Sequence, residues 1–214
     1  MSLYIPEAFG DVERAAAMRL VHDHPFATLV TAGGAEPALT HLPLVHVPDC
    51  EPHGTLIGHF ARANPHAALA AGRASLAVFQ GPHAYVSPSW YGAPETMVPT
   101  WNYAVVHAHG VIELAHEDAD TLAIVHAMVQ RFEAHRAAPW QLAMEASRLA
   151  ALVRAIVGFR LRIRRLDAKF KLSQNRSVAD RSRVAAALTR EGDADSLATS
   201  RWMRAYAGAS GGDG

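Results

Sequence analysis

The sequence predicts an α+β domain in which helices flank an antiparallel β-barrel core. Short strand-like runs follow one another closely and are separated by turn residues, which is typical of a barrel or sandwich and not of a parallel α/β sheet. Apolar residues at helical spacing are confined to a few segments, above all residues 119–136. A chain of 214 residues with 50% hydrophobic residues is also long enough to bury one large core.

The first half of the chain alternates strand-like and helical segments. Asp11 is a suitable N-cap, and Pro25 ends the helix that follows it. Gly33-Gly34 is a turn signal after the first strand, and Pro43 favours an edge or bulged position for the second. Gly81-Pro82 separates two further strands. The predicted helices are 11–22 and 64–71, and the predicted strands are 26–31, 38–47, 55–60, 75–80 and 83–87.

The second half contains the longest predicted elements. Phe159, Leu161 and Ile163 alternate with arginines, which predicts a strand with one buried face. Strands are predicted at 100–114 and 158–166, and helices at 119–136, 147–156 and, as the last helix, 178–190. We expect a single domain over residues 1–190 and a C-terminal extension over residues 191–214, whose small and polar end is disordered.

Composition and charge exclude several classes of protein. Twenty basic residues balance twenty acidic residues, so the chain is not a globally basic nucleic-acid-binding protein. The single cysteine, Cys50, cannot form an intramolecular disulfide. No signal-peptide pattern and no apolar run of about 18 residues occurs, so we expect a soluble cytoplasmic protein that does not span a membrane.

The thirteen histidines raise the question of a metal site. His107 and His109 would share one face of a strand, and His22 and His24 have the same spacing. No HExxH motif, Cys/His quartet or acidic cluster at ligand spacing accompanies them, so we expect no bound metal. Nucleophile and phosphate-loop motifs are absent as well, and the sequence therefore assigns no catalytic residue.

Three segments combine residue types that suit a flat ligand with polar edges. The run 58–65 places Arg62 and Asn64 between a strand and a short helix, where a guanidinium and backbone amides can bind an anion. The runs 80–91 and 98–103 combine aromatic rings with hydroxyls and amides, as a heterocycle requires. The sequence is equally compatible with a barrel core that Trp101 and Tyr103 simply fill.

A basic stripe of four arginines has two interpretations. It could follow the phosphates of a nucleic acid, or it could be the solvated outer face of a half-buried strand. No aromatic residue interrupts the stripe and no recognition helix is recognisable, so the solvated face is favoured. The four residues are Arg160, Arg162, Arg164 and Arg165.

Seven motifs, in this order along the chain, carry a resemblance to a known family. They are 4–9 (YIPEAF), 24–30 (HPFATLV), 40–44 (THLPL), 58–65 (GHFARANP), 79–91, 98–103 (VPTWNY) and 169–176 (KFKLSQNR). The chain resembles the PaiB-like family of FMN-binding proteins, which are often labelled negative transcriptional regulators. The resemblance extends from residue 1 to about residue 190, and the runs 81–91 and 98–103 are its most specific part.

The resemblance implies a split β-barrel like that of pyridoxamine-phosphate oxidases, and a homodimer with FMN in clefts at the subunit interface. His59, Arg62 and Asn64 would lie near the FMN phosphate. Thr28, Leu29, Thr40 and His41 would line the cleft, and Tyr85, Val86 and Ser87 would run beside the flavin. Trp101 and Tyr103 would come from the partner subunit, and Lys171, Gln174 and Asn175 would be further contacts.

Three functions remain open on this basis. The first is an FMN-binding protein that acts as a negative transcriptional regulator, with DNA as a weakly supported partner. The second is a flavin-dependent oxidoreductase or flavin reductase without a direct role at DNA. The third is a haem-binding split barrel, which only the number of histidines favours.

Overall fold

The computed structural model describes residues 3–33, 36–49 and 52–207, and this part of the chain forms seven strands and six α-helices. The strands are β1 (Phe26–Thr31), β2 (Ala38–Pro43), β3 (Val45–Val47), β4 (Thr55–Ala61), β5 (Ala74–Val86), β6 (Thr100–Leu114) and β7 (Ile156–Lys171). The helices are α1 (Arg14–Asp23), α2 (Pro65–Ala70), α3 (Asp118–Glu133), α4 (Ala146–Arg154), α5 (Val178–Glu191) and α6 (Ala194–Ala207). Short 3₁₀ helices lie at Glu7–Phe9, Pro88–Trp90 and Pro94–Thr96.

The strands form one sheet in the order β2-β1-β5-β6-β7-β4-β3. β1 is antiparallel to β2 and β5, and β4 is antiparallel to β3 and β7. Leu44 alone separates β2 from β3, although these strands are the two ends of the sheet, so the sheet must curl on itself. This curled sheet confirms the predicted α+β split barrel, and the edge position of β2 confirms the inference from Pro43.

The chain divides into two compact units. The central unit contains residues 21–79 and 107–166, and the terminal unit contains residues 1–20, 80–106 and 167–214. The long strands β5, β6 and β7 each contribute residues to both units. The predicted division into a domain over 1–190 and an extension over 191–214 stays a prediction.

The core of the central unit is built on the strand alternation that the sequence shows. Phe159, Leu161 and Ile163 of β7 are buried, whereas Arg162 and Arg164, which alternate with them, are exposed and Arg160 is half-buried. The ring of Phe159 lies 4.7 Å from that of Phe60, centroid to centroid. Arg160, Arg162 and Arg164 of the stripe therefore lie on the outer face of a half-buried strand, as predicted, and Arg165 is exposed beyond the buried part.

Two boundaries predicted from the sequence are wrong. The segments 75–80 and 83–87 form the single strand β5, because Gly81-Pro82 is a buried close approach and not a turn. A Cβ on Gly81 would lie 2.9 Å from Leu20 Cδ1 and 3.3 Å from the carbonyl oxygen of Ala104. The predicted last helix is also followed by α6, whose Ser200 hydroxyl donates to the carbonyl of Ala185 in α5 at 2.7 Å.

The single strand predicted over 38–47 is also wrong, because Leu44 divides this segment into β2 and β3, which lie at opposite ends of the strand order. The remaining predicted elements are found within a few residues of their expected ends. The turn residue Gly34, the cysteine at position 50 and the small, polar end at 208–214 lie outside the described residues. Within the described ranges, no helix combines the length and the apolar character that a membrane crossing requires.

Candidate functional site

The turn after β4 brings a guanidinium and an amide side chain together in the central unit. Arg62 Nε and Nη2 donate to the carbonyl oxygens of Arg154 and Ile156, each at 2.6 Å, and its Nη2 lies 4.0 Å from Asp118 Oδ1. The Arg62 side chain is 52% exposed, and its Nη1 has no partner among the described residues. One edge of the guanidinium therefore anchors the turn, while the other is open to an anion.

Asn64 is held by its own helix and by the edge strand. Its Oδ1 accepts from the backbone amide of His66 at 3.0 Å and so caps α2, while its Nδ2 donates to Thr40 Oγ1 at 3.1 Å. The backbone amides of Arg62 and Asn64 donate to the carbonyls of Ala155 and Ala61. The amides of this turn are thus largely satisfied within the protein, and an anion would be bound mainly by side chains.

The pairing of β1 with β2 determines which of the other predicted residues of the central unit lie opposite each other. Thr28 lies opposite His41, and Thr28 Oγ1 and His41 Nδ1 are 3.0 Å apart. Leu29 lies opposite Thr40 on the other face and is completely buried, so its side chain packs in the core. The threonine and histidine side chains can offer hydrogen bonds to a ligand, whereas Leu29 could contribute only its backbone.

His59 carries a buried polar atom that nothing in the described protein satisfies. Burial lowers the pKa of His59 below its usual value, which favours the neutral ring. Its Nδ1 is buried and has no hydrogen-bond partner among the described residues. A buried unpaired nitrogen costs about 1–3 kcal/mol, so a ligand or an ordered water that bonds to it would be stabilised.

An aromatic cluster of the terminal unit lies at the end of β5 and the start of β6. Trp101 is 52% exposed and Tyr85 is 44% exposed, and their rings meet edge to face at 6.2 Å. The His83 ring lies 6.1 Å from that of Trp101. Trp101 therefore does not fill the barrel core, and the exposed rings offer a surface on which a planar group can lie.

A cavity of about 590 Å³ opens beside this cluster. Tyr85, Trp90 and Trp101 line it, together with Ser87. Its other lining residues include three carboxylates, which are Glu191, Asp193 and Asp195. Because these negative charges repel a phosphate, the cavity suits an uncharged aromatic ring better than the phosphate end of a ligand.

The predicted residues beside the cavity differ in how far they can reach a ligand. The Val86 side chain is fully buried, and Ser87 Oγ accepts from the amide of Ser89 to cap the 3₁₀ helix Pro88–Trp90. Tyr103 is half-buried, and Lys169 Nζ lies 5.5 Å from the centre of its ring. Ser87 and Tyr103 can contact a ligand with their side chains, whereas Val86 cannot.

The closing motif 169–176 fixes the strand that carries Trp101. Lys171 Nζ donates to the carbonyl oxygen of Trp101 at 2.6 Å and to Thr100 Oγ1. Burial, with the charges of Lys169 and Arg176 as further causes, lowers the pKa of Lys171. Through these hydrogen bonds, Lys171 fixes the backbone of the residue that carries the exposed indole.

Gln174 and Asn175 have different surroundings. Gln174 Oε1 accepts from the amide of Leu172 at 2.6 Å and its Nε2 donates to the carbonyl of Phe170, so its amide closes the local turn. Asn175 is exposed and lines a small cavity of about 140 Å³ with Lys171 and Arg176. Of the two, Asn175 is the one whose side chain is open to a ligand.

The fifteen predicted positions fall into two sets, one in each unit. The central set is Thr28, Leu29, Thr40, His41, His59, Arg62 and Asn64. The terminal set is Tyr85, Val86, Ser87, Trp101, Tyr103, Lys171, Gln174 and Asn175. Hydrogen bonds join Asn64 to Thr40 and Thr28 to His41 in the first set, and ring contacts and backbone bonds join Tyr85, Trp101 and Lys171 in the second.

The sequence interpretation missed two buried polar residues that bond within these segments. His66 is 3% exposed and bonds to Thr40, and Asn102 is 1% exposed and bonds to Ser173. Both missed residues stand in the motifs 58–65 or 98–103 or directly after them, and that position was the available signal. Among the described residues, no group of three or more histidine, cysteine, aspartate or glutamate side chains could hold a metal ion.

Comparison with known proteins identifies the family. Residues 3–165 match the family model described as "Putative FMN-binding domain". The chain is 36% identical over 194 residues to the protease synthase and sporulation protein PAI 2 of Bacillus subtilis strain 168, an alignment that covers 88% of this chain and 90% of that protein.

Solved structures show where the fold recurs. The FAD and haem binding protein from Mycobacterium smegmatis is 17% identical with a TM-score of 0.60, over 82% of this chain and 79% of that one. The flavocytochrome Anf3 from Azotobacter vinelandii is 12% identical with a TM-score of 0.59, over 79% of this chain and 73% of that one. At these identities the likeness shows the shared fold alone.

The residues present fit the group that this family binds. The open edge of Arg62 and the unpaired nitrogen of His59 suit a ligand with a phosphate and polar edges, and exposed aromatic rings suit a flat ring system. The sequence motifs, the family match and the similarity to the Bacillus protein agree with this chemistry. The chain belongs to the PaiB-like family of FMN-binding proteins, and its cofactor is FMN.

Proposed function

We propose that the central set of residues binds the FMN phosphate and that the exposed aromatic cluster covers the flavin ring. The observation that carries the first half is the buried, unpaired Nδ1 of His59, on the strand that leads to Arg62 and Asn64. The observation that carries the second half is the exposure of Trp101 and Tyr85. Leu29 and Val86 would contribute packing and backbone, since their side chains are buried.

The first test is the absorption spectrum of the purified protein, followed by chromatography of the ligand that heat releases. We expect a flavin spectrum and close to one FMN per chain. A colourless protein that also fails to bind added FMN would overturn the proposed site. Riboflavin lacks the phosphate of FMN. If substitution of Arg62 weakens the binding of riboflavin and of FMN to the same extent, the phosphate is bound elsewhere.

We further propose that the protein is a homodimer and that Trp101 and Tyr103 of one subunit contribute to the flavin site of the other. The exposed indole of Trp101 is the kind of apolar surface that a second copy can cover, and Tyr103 is half-buried two residues further along the same strand. Light scattering during size exclusion should give twice the 23.0 kDa of one chain. A monomer that retains FMN would contradict this assignment.

Bound FMN supplies electron transfer, and the protein side chains would bind it, orient it and move protons nearby. His41 and His59 are the two histidines of the central set, and their ring nitrogens could exchange a proton with a ligand. A flavin-dependent oxidoreductase activity is the corresponding proposal. It is tested by mixing the FMN-loaded protein anaerobically with NADH or NADPH, and persistent oxidised flavin with both donors would contradict turnover with nicotinamides.

A regulatory role is proposed from the family, and the exposed arginines of β7 are its leading candidate DNA-binding surface. Arg162 and Arg164 are exposed, and Arg165 Nη2 approaches the ring of His109 at 3.0 Å. A gel-shift series with rising salt tests direct binding, because phosphate contacts weaken steeply with salt. No shift at low salt would leave only indirect regulation through flavin chemistry or a protein partner.

The haem alternative and the cytoplasmic location both stay predictions. Haem binding would produce a Soret band that one histidine substitution abolishes. Absence of that band after haem addition would remove the alternative.

A further inference from the structure

A row of hydrogen-bonded side chains crosses the interior of the central unit from Asn64 to Ser75. Asn64 Nδ2 is 3.1 Å from Thr40 Oγ1, which is 2.8 Å from His66 Nδ1. His66 Nε2 is 2.9 Å from Thr31 Oγ1, which is 2.7 Å from Ser75 Oγ. Ser75 Oγ ends the row with a long bond of 3.4 Å to the carbonyl oxygen of Arg73.

The two ends of the row determine the direction of every proton in it. A carbonyl can only accept, so Ser75 donates to Arg73 and must accept from Thr31. Thr31 has then used its single proton and must accept from His66 Nε2–H. At the other end the backbone amide of His66 binds Asn64 Oδ1, so Asn64 turns its Nδ2 towards Thr40.

The middle of the row requires a neutral His66. Thr40 Oγ1 accepts from Asn64 and has one proton of its own, which goes to His66 Nδ1. A protonated ring would place a second donor opposite that hydroxyl and leave the hydroxyl proton without a partner. Burial also lowers the pKa of His66, in the same direction. Each member of the row therefore has one role, and the row has one arrangement.

The row explains buried polar groups that the candidate site does not use directly. His66 is 3% exposed and Thr31 is completely buried, so neither side chain can touch a ligand. Their bonds reach Asn64 through Thr40, because the Thr40 proton that is directed to His66 Nδ1 orients the hydroxyl so that a lone pair faces Asn64 Nδ2. The second N–H of Asn64 Nδ2 has no partner among the described residues and is left for a ligand.

We propose that His66 is a positioning residue for the FMN phosphate, which it serves through Thr40 by fixing the amide of Asn64. The proposal rests on the proposed function, in which Asn64 lies at the phosphate. The row of hydrogen bonds would then affect binding of the phosphate end of the cofactor and leave binding of the flavin ring unchanged.

The experiment compares FMN with riboflavin, which lacks the phosphate. Dissociation constants for both are measured by fluorescence quenching on the full-length protein freed of flavin. The variants are His66→Leu, which removes both ring nitrogens, and His66→Asn, whose Oδ1 can accept from Thr40 in place of Nδ1. His126→Leu is the control, since His126 is an exposed histidine of the same unit outside the site.

We expect His66→Leu to weaken FMN binding about tenfold or more and riboflavin binding less than about twofold. His66→Asn should recover most of the FMN affinity, and His126→Leu should match the wild type. Equal weakening of both flavins by His66→Leu would overturn the proposal, since a purely structural role affects both. Failure of His66→Asn to recover FMN binding would also count against it.

A second variant keeps the proposal testable if His66→Leu does not fold. Thr31→Val is close in shape and leaves His66 Nε2–H without its acceptor, at a buried position that cannot contact FMN. We expect the same selective loss of FMN affinity, and unchanged FMN affinity would overturn the proposal. A wild-type protein that binds neither flavin would instead overturn the proposed function itself.

Discussion

Asn102 and Ser173 hold each other in place inside the terminal unit, although 71 residues separate them. Asn102 Nδ2 donates to Ser173 Oγ at 2.9 Å, and the two side chains are 1% and 4% exposed. Ser173 has a φ of 66°, a left-handed conformation that favours glycine. The pair thus stabilises a strained turn directly after Lys171, which bonds to the backbone of Trp101.

Substitution of Asn102 should destabilise the protein. Asn102→Ala removes the partner of Ser173 and also the bond from Nδ2 to Met203 Sδ of 3.3 Å. We expect the free energy of unfolding to fall by about 1–3 kcal/mol, because a buried hydroxyl in a strained turn loses its partner. Urea unfolding measures this, with the exposed Asn175→Ala as the control, which should change stability by less than about 0.5 kcal/mol. Equal effects of the two substitutions would show that the buried pair contributes nothing specific.

Trp101 should matter for the flavin and not for the stability of the chain. Trp101 and Trp140 are both 52% exposed, so alanine at either position costs little core packing. We expect Trp101→Ala to weaken FMN binding about two- to twelvefold, through loss of an aromatic contact of about 0.5–1.5 kcal/mol. Trp140→Ala should leave the dissociation constant unchanged. If the two variants bind FMN equally well, the aromatic cluster does not cover the ring.

Arg62 should contribute a charged contact to the FMN phosphate. Arg62→Ala is expected to lose about 1.5–3 kcal/mol of FMN binding free energy, measured by titration of the flavin-free protein. Arg154→Ala removes the same charge from an exposed side chain of α4, and its FMN affinity should stay at the wild-type value. Unfolding curves of both variants separate this effect from the loss of the bonds that Arg62 makes to Arg154 and Ile156. Unchanged FMN affinity in Arg62→Ala would contradict the phosphate assignment.

The half-buried His59 and the buried His66 should make the stability of the protein depend on pH on the acidic side of neutrality. Burial lowers the pKa of His59 and of His66 in the folded state below the ordinary value of 6.5. Below pH 6.5 the unfolded chain therefore binds more protons than the folded chain, and stability is lost as pH falls through the folded pKa values. Between pH 8 and 7 these histidines should have little effect.

Urea unfolding at pH 8, 7, 6 and 5.5 checks this dependence. His66→Asn, which does not titrate, should reduce the loss of stability between pH 7 and 5.5. His126→Gln should leave it as in the wild type, because His126 is exposed. An identical pH dependence in all three proteins would show that His66 is not the buried group that titrates.

Local patterns in the sequence were sufficient for much of the fold. The alternation of Phe159, Leu161 and Ile163 with arginines identified a half-buried strand, because strand side chains alternate between faces. Pro43 correctly indicated an edge strand, since proline cannot donate to a neighbouring strand. The pair Gly81-Pro82 led to a wrong prediction, because glycine and proline occur both in turns and where another part of the chain packs closely on a strand. The contact of Gly81 with Leu20 shows that the second case applies.

The sequence by itself determined the fold class, the family and the segments from which the candidate residues come. Only the tertiary structure decided that Asn64 is tied through Thr40 to the buried His66, that Trp101 is exposed, and that Asn102 supports Ser173. The physical reason is that these contacts join residues far apart along the chain, whose distance depends on strand register and sheet curvature. Local periodicity reports which face of an element is buried, but not which polar groups meet inside it.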